Sequence, residues 1–264
     1  MIDSASVSNG RTLIMVAHGT RTSAGVQTIH ELATAVAARV GPVRTAFVDV
    51  LGPNPAEVLG TLNGPAIVVP AFLASGYHVH CDLPARITES GHRDTLITPA
   101  LGPDPELATA MRDRLLQVGW RSGDAVVMAA AGSSDPVARS ELGRAAALLG
   151  DLTGNAALGH IATGTPTVAD VVDRLRSTGA RRVYIAPYLL AHGFFHTRLA
   201  DSGADAVAPP LGAHDAVVGL VSARFSRALR DHQGRRRPWR CNRHSLDVHD
   251  SPIPANTVGS GLGS

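Results

Sequence analysis

Short, continuously apolar runs alternate with stretches of helical periodicity along the first 120 residues of the chain. Residues 12–17 are apolar apart from Thr12, which is typical of a strand buried on both faces in a parallel sheet. Residues 23–40 place apolar side chains three or four positions apart, which predicts a helix with Ser23 as its N-cap. The same alternation predicts strands over 44–50, 66–72 and 94–98, and helices over 55–62, 84–90 and from Pro105 onward.

The pattern restarts at Asp124 and repeats the same order of elements. Residues 126–132 (VVMAAAG) match 13–19 (LIMVAHG), and residues 183–195 (VYIAPYLLAHGFF) match 66–78 (AIVVPAFLASGYH). Strands are predicted over 125–130, 156–162, 181–187 and 205–208, and helices over 135–149, 167–177 and 215–230 and after Gly193.

These repeats predict an α/β protein made of two tandem, similar domains. Each domain is expected to be a mainly parallel four-stranded sheet with helices on both faces. The predicted boundaries are 11–120 and 124–231, which are ordinary domain sizes. Residues 234–264 lack periodicity and are rich in Gly, Ser, Pro and Arg, so a disordered tail is predicted there.

The charge balance and the cysteine content narrow the possible functions. The formal net charge is +2 and basic residues are not interleaved with aromatic ones, so we expect no nucleic acid partner. Cys81 and Cys241 are too few for a disulfide framework. No apolar run is long enough to span a membrane and the first residues make a poor signal peptide, so we expect a cytoplasmic protein without a membrane partner.

Three polar residues follow three successive strands of the first copy. His18 follows the first strand, Asp49 closes the second and His78 follows the third. Ligands of open α/β sheets bind beyond the carboxyl ends of the strands, so these side chains are expected to face one crevice, where they can accept protons or handle a metal. The matching positions of the second copy carry no such groups: Ala131, Ala162 and Phe195. A single site, built mainly by the first half, is therefore expected.

Further histidines lie near these positions. His80 and Cys81 follow His78, but successive residues of an extended chain point to different sides, so His80 is interpreted as auxiliary or solvated. His192 and His196 occupy the equivalent loop of the second copy, from which they could line the same cleft on its other wall.

Three segments, taken in order, resemble the sirohydrochlorin chelatases of the CbiX/SirB type. They are AHGTR at 17–21, FVDVLGPNP at 47–55 and GYHVHCDLP at 76–84. The family shows HGSR after its first strand, an F-L-E stretch after its second and G-x-H-x-x-x-D-[IL]-P after its third. The resemblance covers roughly residues 11–230, and the long forms of the family are duplications of this kind.

The resemblance implies a lyase-class chelatase that inserts a divalent metal, expected to be ferrous iron, into sirohydrochlorin for sirohaem biosynthesis. The family's catalytic and metal-handling residues match His18, His78 and Asp49, with Asp49 in place of the family's Glu. The metal and the tetrapyrrole are then substrates, and no permanently bound cofactor is expected. One chain is expected to act as a monomer, with its two domains related by a pseudo-twofold axis.

Sirohydrochlorin carries eight carboxylates, so arginine side chains are expected to hold its rim. Arg21 matches the arginine of the family's HGSR, and Arg86 and Arg198 follow the relevant loops. Gly19 and Gly76 are assigned to the same substrate-binding region.

Three alternatives to a ferrochelatase stay open. Imidazole and carboxylate ligands also accept Co²⁺, so the chain could be a cobaltochelatase of cobalamin biosynthesis. A non-catalytic carrier of the metal or the tetrapyrrole could use the same cleft. A degenerate scaffold is the third alternative, and the His18, Asp49 and His78 set speaks against it.

Overall fold

A computed structural model describes residues 10–76 and 78–234, with the backbone alone for His78 and Gln233. Apart from Gly234, the predicted tail lies outside the described residues. None of the helices in this part of the chain combines the length and the apolar character that crossing a membrane requires.

The first half forms one parallel sheet with helices packed on it. Its strands are β1 (Thr12–Ala17), β2 (Val43–Phe47), β3 (Ala66–Pro70) and β4 (Thr95–Ile97), in the spatial order β2-β1-β3-β4. Its α-helices are α1 (Ser23–Val40), α2 (Pro55–Gly60), α3 (Leu83–Glu89) and α4 (Pro105–Gln117), and a π-helical turn over His78–Asp82 precedes α3.

The second half repeats this plan in the same order. Its strands are β5 (Ala125–Gly132), β6 (Ala157–Thr163), β7 (Val183–Tyr188) and β8 (Ala206–Val207), arranged in parallel as β6-β5-β7-β8. Its helices are α5 (Pro136–Thr153), α6 (Val168–Ser177), α7 (Phe194–Arg198) and α8 (Asp215–Gly234). The predicted fold class, two tandem α/β units with parallel four-stranded sheets, is confirmed.

The turn after the second strand is closed by the same backbone hydrogen bond in both halves. The backbone N–H of Phe47 donates to the carbonyl of Pro53 at 2.9 Å, and that of His160 donates to the carbonyl of Pro166 at 3.0 Å. The helix that follows begins with a capping box in each half, Asn54 with Glu57 and Thr167 with Asp170. The duplication therefore extends to individual hydrogen bonds.

Two local predictions were wrong. The strand predicted over 44–50 ends at Phe47, because Val50 adopts a left-handed conformation with φ 69° and the chain turns away from the ladder. Helix α1 is capped by Thr22 and not by Ser23, since the Thr22 hydroxyl accepts the backbone N–H of Gly25 at 3.2 Å.

Alternate residues of each inner strand face different hydrophobic clusters. In β1, Leu13 and Met15 belong to a central core that also contains residues of the second half, whereas Ile14 and Val16 face an outer core beneath α2 and α3. A second outer core lies between the second sheet and α6. Both faces of both sheets are therefore covered, as parallel sheets require.

The last helix of each half packs against the other half. Helix α4 packs against α5 and β7, and α8 packs in return against α1 and β3. Polar contacts accompany this exchange: Arg224 on α8 donates to the Asp104 carboxylate at 3.2 Å, and the Tyr188 hydroxyl donates to the carbonyl of Leu73 at 2.8 Å. The units over 11–120 and 124–231 therefore share a core, and their boundaries stay a proposal.

Replacing Phe225 by Ala should destabilise both halves together. The ring is 1% exposed in the central core, so its removal should lower the free energy of unfolding by about 3–5 kcal/mol. Hydrogen exchange should accelerate at amides of both β1 and β5. In the control, Leu116→Ala removes a side chain that is 51% exposed on α4 and should change stability by less than about 0.5 kcal/mol. Separate melting of the two halves would contradict the shared core.

Candidate active site

His18 lies at the end of the strand that forms the centre of the first sheet. Because β1 lies between β2 and β3, the ends of both neighbours flank this residue. The carbonyl of His18 accepts the backbone N–H of Asp49 at 3.0 Å, and Ala71 donates to the carbonyl of Val16 at 2.7 Å. The exposed His18 ring has its centroid 6.5 Å from that of Phe72, which follows β3. Residues after all three strands thus converge at His18.

Gly19 permits a close approach between the loops that follow β1 and β2. Its φ is +105°, and a Cβ at this position would lie 2.1 Å from the carbonyl oxygen of Asp49. Gly132 has the same role in the second half, where a Cβ would lie 1.7 Å from the carbonyl oxygen of Thr163. Only glycine fits either position, so these residues keep the scaffold of each half alike.

Asp49 is exposed in the turn that ends the second strand. Its Oδ1 accepts the backbone N–H of Val50 at 2.8 Å, which orients the carboxylate within the turn. The left-handed conformation of Val50 is costly for a β-branched residue, by about 1–3 kcal/mol. Such local strain is concentrated at functional sites in proteins.

The segment after β3 is not the extended loop that the sequence predicted. Residues His78–Asp82 form a π-helical turn, so the reasoning that placed the neighbouring side chains of an extended chain on different sides does not apply. The carbonyl of Gly76 accepts the backbone N–H groups of Val79 and His80 at 3.0 and 3.2 Å. Single π-helical turns occur frequently at functional sites. The His78 side chain is outside the described part of the chain, and those of His80 and Cys81 are exposed.

The three arginines assigned to substrate binding have different surroundings. Arg21 is exposed just after the His18 loop. Arg86 is already engaged on its own helix, with its guanidinium 3.4 Å from Asp82 and 3.5 Å from Glu89. Arg198 is exposed and its guanidinium lies 5.8 Å from the centroid of the Phe194 ring. Arg21 and Arg198 are therefore exposed, whereas Arg86 is already paired with two carboxylates.

A loop of the second half lies directly against the His18 loop. The Thr22 hydroxyl donates to the carbonyl of His192 at 3.2 Å, and a Cβ on Gly25 would lie 2.3 Å from the same oxygen. Gly193 also lies near Thr20, whose hydroxyl would be 3.2 Å from a Cβ on that glycine. The second half thus supplies a wall beside the strand ends of the first.

This wall carries two exposed aromatic rings that the sequence analysis missed. Phe194 is 70% exposed and Phe195 38%, and their ring centroids are 6.1 Å apart. The sequence comparison had treated Phe195 only as the residue that replaces His78. Two consecutive Phe residues in a predicted loop could have indicated this surface, since large apolar groups exposed in loops mark binding surfaces.

The equivalent strand ends of the second half lack titratable groups at the matched positions. Ala162 is exposed and Ala131 is partly buried, and neither can accept a proton or bind a metal. One imidazole does occur nearby: His160 stands at the position of Phe47, is 7% exposed, and has an Nδ1 without a hydrogen-bond partner. Burial lowers the pKa of His160.

His192 is exposed at the surface, but partial desolvation of its ring is the main reason why its pKa is below the ordinary value, with smaller contributions from His196 and Arg114. Among the described side chains, no three His, Cys, Asp or Glu residues form a group that could hold a metal ion. Of the three residues predicted to handle the metal, the structure describes the side chains of His18 and Asp49.

Comparisons with known proteins agree on the family. A family model described as CbiX matches residues 12–118 and 125–228. The sirohydrochlorin cobaltochelatase of Priestia megaterium is 26% identical over 172 residues, which are 60% of this chain and 56% of that relative's length. The structure is similar to that of SirB from Bacillus subtilis with Fe³⁺, with a TM-score of 0.73, 20% identity, and coverage of 85% of this chain and 98% of that one. It is also similar to CbiX of denitrifying bacteria, which is described as the terminal enzyme of siroheme biosynthesis. The TM-score is 0.63 and the identity 24%, and the match covers 83% of this chain and 99% of that one.

Replacing His160 by Phe, its counterpart in the first half, should flatten the dependence of stability on pH. Because burial lowers the pKa of His160 from 6.5, the unfolded chain binds the proton before the folded chain does as the pH falls. His160 contributes its full stability above pH 6.5 and loses it as the pH falls through the folded-state pKa. The free energy of unfolding, measured with urea, should lose up to about 1.4 kcal/mol per pH unit from this group.

His160→Phe should remove that part of the slope, and the reciprocal Phe47→His should add a similar one. Equal slopes in the wild type and His160→Phe would show that His160 is not held neutral by its surroundings.

Proposed function

The chain belongs to the CbiX family, and we propose that it is a chelatase that inserts ferrous iron into sirohydrochlorin for sirohaem biosynthesis. The observation that carries this proposal is the junction at the first sheet's carboxyl edge, where Asp49 donates its backbone N–H to His18 and both side chains are exposed. Three observations support this reaction. The family has chelatase members, an imidazole and a carboxylate lie at one edge of the sheet, and an apolar wall adjoins them.

The similar proteins do not agree on the metal. The curated relative is described as a cobaltochelatase, SirB of Bacillus subtilis was solved both with Fe³⁺ and with cobalt, and another structural neighbour is described as an enzyme of siroheme biosynthesis. Imidazole and carboxylate ligands accept both Fe²⁺ and Co²⁺. We propose iron as the physiological metal and Co²⁺ insertion, for cobalamin, as the alternative.

Metal insertion must remove two protons from pyrrole nitrogens while a divalent ion arrives. The imidazole of His18 supplies a group that can accept a proton, since histidine is the side chain suited to proton transfer near neutral pH. We assign the second proton acceptor to His78, which begins the π-helical turn in the segment after β3. The Asp49 carboxylate offsets the positive charge of the ion and helps to replace its water ligands.

The substrate is proposed to lie between the strand ends of the first half and the wall of the second. Phe194 and Phe195 offer exposed rings to the apolar face of the macrocycle, and Arg21 and Arg198 offer guanidinium groups to its carboxylates. Gly76 has open space where a Cβ would stand, so its backbone is accessible at this edge, whereas Gly19 contributes by letting the turn at Asp49 approach the His18 loop. Arg86 could join only by giving up its ion pairs with Asp82 and Glu89.

Both walls of this site come from one polypeptide, which supports the proposal that a monomer is sufficient. The metal enters as a substrate and leaves within the product, so the reaction needs no resident cofactor.

Replacing His18 by Ala should separate catalysis from binding. The side chain is exposed, so folding should be retained. If His18 accepts a proton, anaerobic insertion into sirohydrochlorin should slow by about two to four orders of magnitude, while sirohydrochlorin affinity changes much less. The measurement is the insertion rate beside the affinity, and Ala131→His added to the same chain should not restore the rate.

A His18→Ala protein with the wild-type rate would refute this mechanism. Loss of affinity and rate in equal proportion would assign His18 to binding, as in a carrier.

Gly19→Ala and Gly132→Ala form a matched pair, because each adds a methyl group against a carbonyl of its own half. Both should lower the free energy of unfolding by about 1–3 kcal/mol, since both residues have positive φ. Only Gly19→Ala displaces Asp49 from His18, so it alone should slow insertion, by about a hundredfold. Similar rates for the two variants would mean that the first half does not hold the site.

A further inference from the structure

Two histidines of the second half lie together next to the proposed site and have no part in the mechanism above. His192 is in the loop after β7, and His196 is on α7. Their ring centroids are 4.8 Å apart and the ring planes are inclined by 76°. Only His196 lies on the helix, so the pair is brought together by the turn at Gly193 that joins the loop to α7.

The distance between the rings fits two ligands of one metal ion. An imidazole nitrogen binds a divalent ion such as Zn²⁺ at about 2.1 Å, which puts two ring centroids about 4.6–5.3 Å apart at bond angles between about 90° and 110°. The observed 4.8 Å lies within this interval. An ion could therefore be bound with small rotations of the two side chains.

A hydrogen bond at Nε2 of His196 leaves Nδ1 of the same ring available to bind a metal ion. Its Nε2 lies 3.1 Å from the carbonyl oxygen of Ala208. A carbonyl only accepts, so Nε2 donates, and the lone pair of the neutral ring is on Nδ1. Histidines that ligate metals have this support, in which the second ring nitrogen donates to a backbone carbonyl or a carboxylate.

The backbone of the pair is fixed to the loop that follows His18. Thr22 donates its hydroxyl to the carbonyl of His192, and Gly25 leaves room for that oxygen. Gly193, between the two histidines, lies against Thr20, two residues after His18. An ion on this pair would thus be held beside the first half's strand ends.

The pair belongs to the second half alone. At the offset that matches Pro70 with Pro187, Ser75 and Val79 of the first half stand where His192 and His196 stand in the second. The second half therefore lacks the imidazoles of the proposed catalytic positions but carries two others on the wall that faces them.

We propose that His192 and His196 bind one divalent first-row metal ion and hold the metal substrate beside His18 before insertion. Naming the ion as substrate rests on the proposed chelatase function, whereas the binding itself does not. Two neutral ligands, with water in the remaining positions, bind weakly, and no group of three ligands occurs among the described side chains. Weak binding suits an ion that must leave for the tetrapyrrole.

Calorimetric titration of the full chain with Co²⁺ tests the binding site. His192→Gln should remove one bound Co²⁺ per chain relative to the wild type, and His192→Gln/His196→Gln should give the same loss. The single variant carries the test if the double variant folds poorly, because the His192 side chain is exposed. His30→Gln, which alters an exposed histidine on α1, is the control and should keep the wild-type stoichiometry.

Insertion kinetics with Co²⁺ then test the role. In His192→Gln the KM for Co²⁺ should rise at least about tenfold, and by more than kcat falls. Wild-type stoichiometry and KM in this variant would overturn the inference even if the enzyme is active. Loss of one Co²⁺ in the variant, in a protein whose wild type inserts no metal, would support the site and refute the chelatase function instead.

Discussion

The covering of the two sheets is the constraint on which the rest of the structure depends. A parallel sheet must be buried on both faces, and here the inner face of each sheet is completed by a helix from the other half, α4 on β7 and α8 on β3. This exchange merges the inner faces into one central core. It also brings the loop around His192 against Thr20–Gly25, so that a wall of the second half adjoins the strand ends of the first.

On this shared scaffold the two halves keep the same backbone and differ in their side chains. The close approaches at Gly19 and Gly132 and the two capping boxes recur, whereas His18 and Asp49 are replaced by Ala131 and Ala162. Backbone contacts of this kind are needed for folding in both copies. One set of proton acceptors is enough for one macrocycle, so the second copy can carry other groups, such as the exposed ring of Phe194 and the His192–His196 pair.

Local sequence patterns were sufficient for the elements and for the strand ends that carry the candidate residues. The apolar run at 12–17 corresponds to β1, and the spacing of apolar residues in 23–40 corresponds to α1. Both patterns arise because buried positions must carry apolar side chains. The exchange of α4 and α8 was not predicted, since contacts between distant segments have no local signal. The π-helical turn at His78–Asp82 was not predicted either, because the segment between β3 and α3 has no hydrophobic period that distinguishes it from a loop.

The central claim is that the edge of the first sheet inserts metal into sirohydrochlorin, and its most direct test is an anaerobic assay of the purified chain. Fe²⁺ and Co²⁺ should be supplied separately with sirohydrochlorin, and the initial rates compared with those of the same mixtures without protein. The account predicts that Fe²⁺ insertion exceeds the uncatalysed rate by several orders of magnitude. Tight binding of sirohydrochlorin with insertion of both metals at the uncatalysed rate would contradict it and make the chain a carrier.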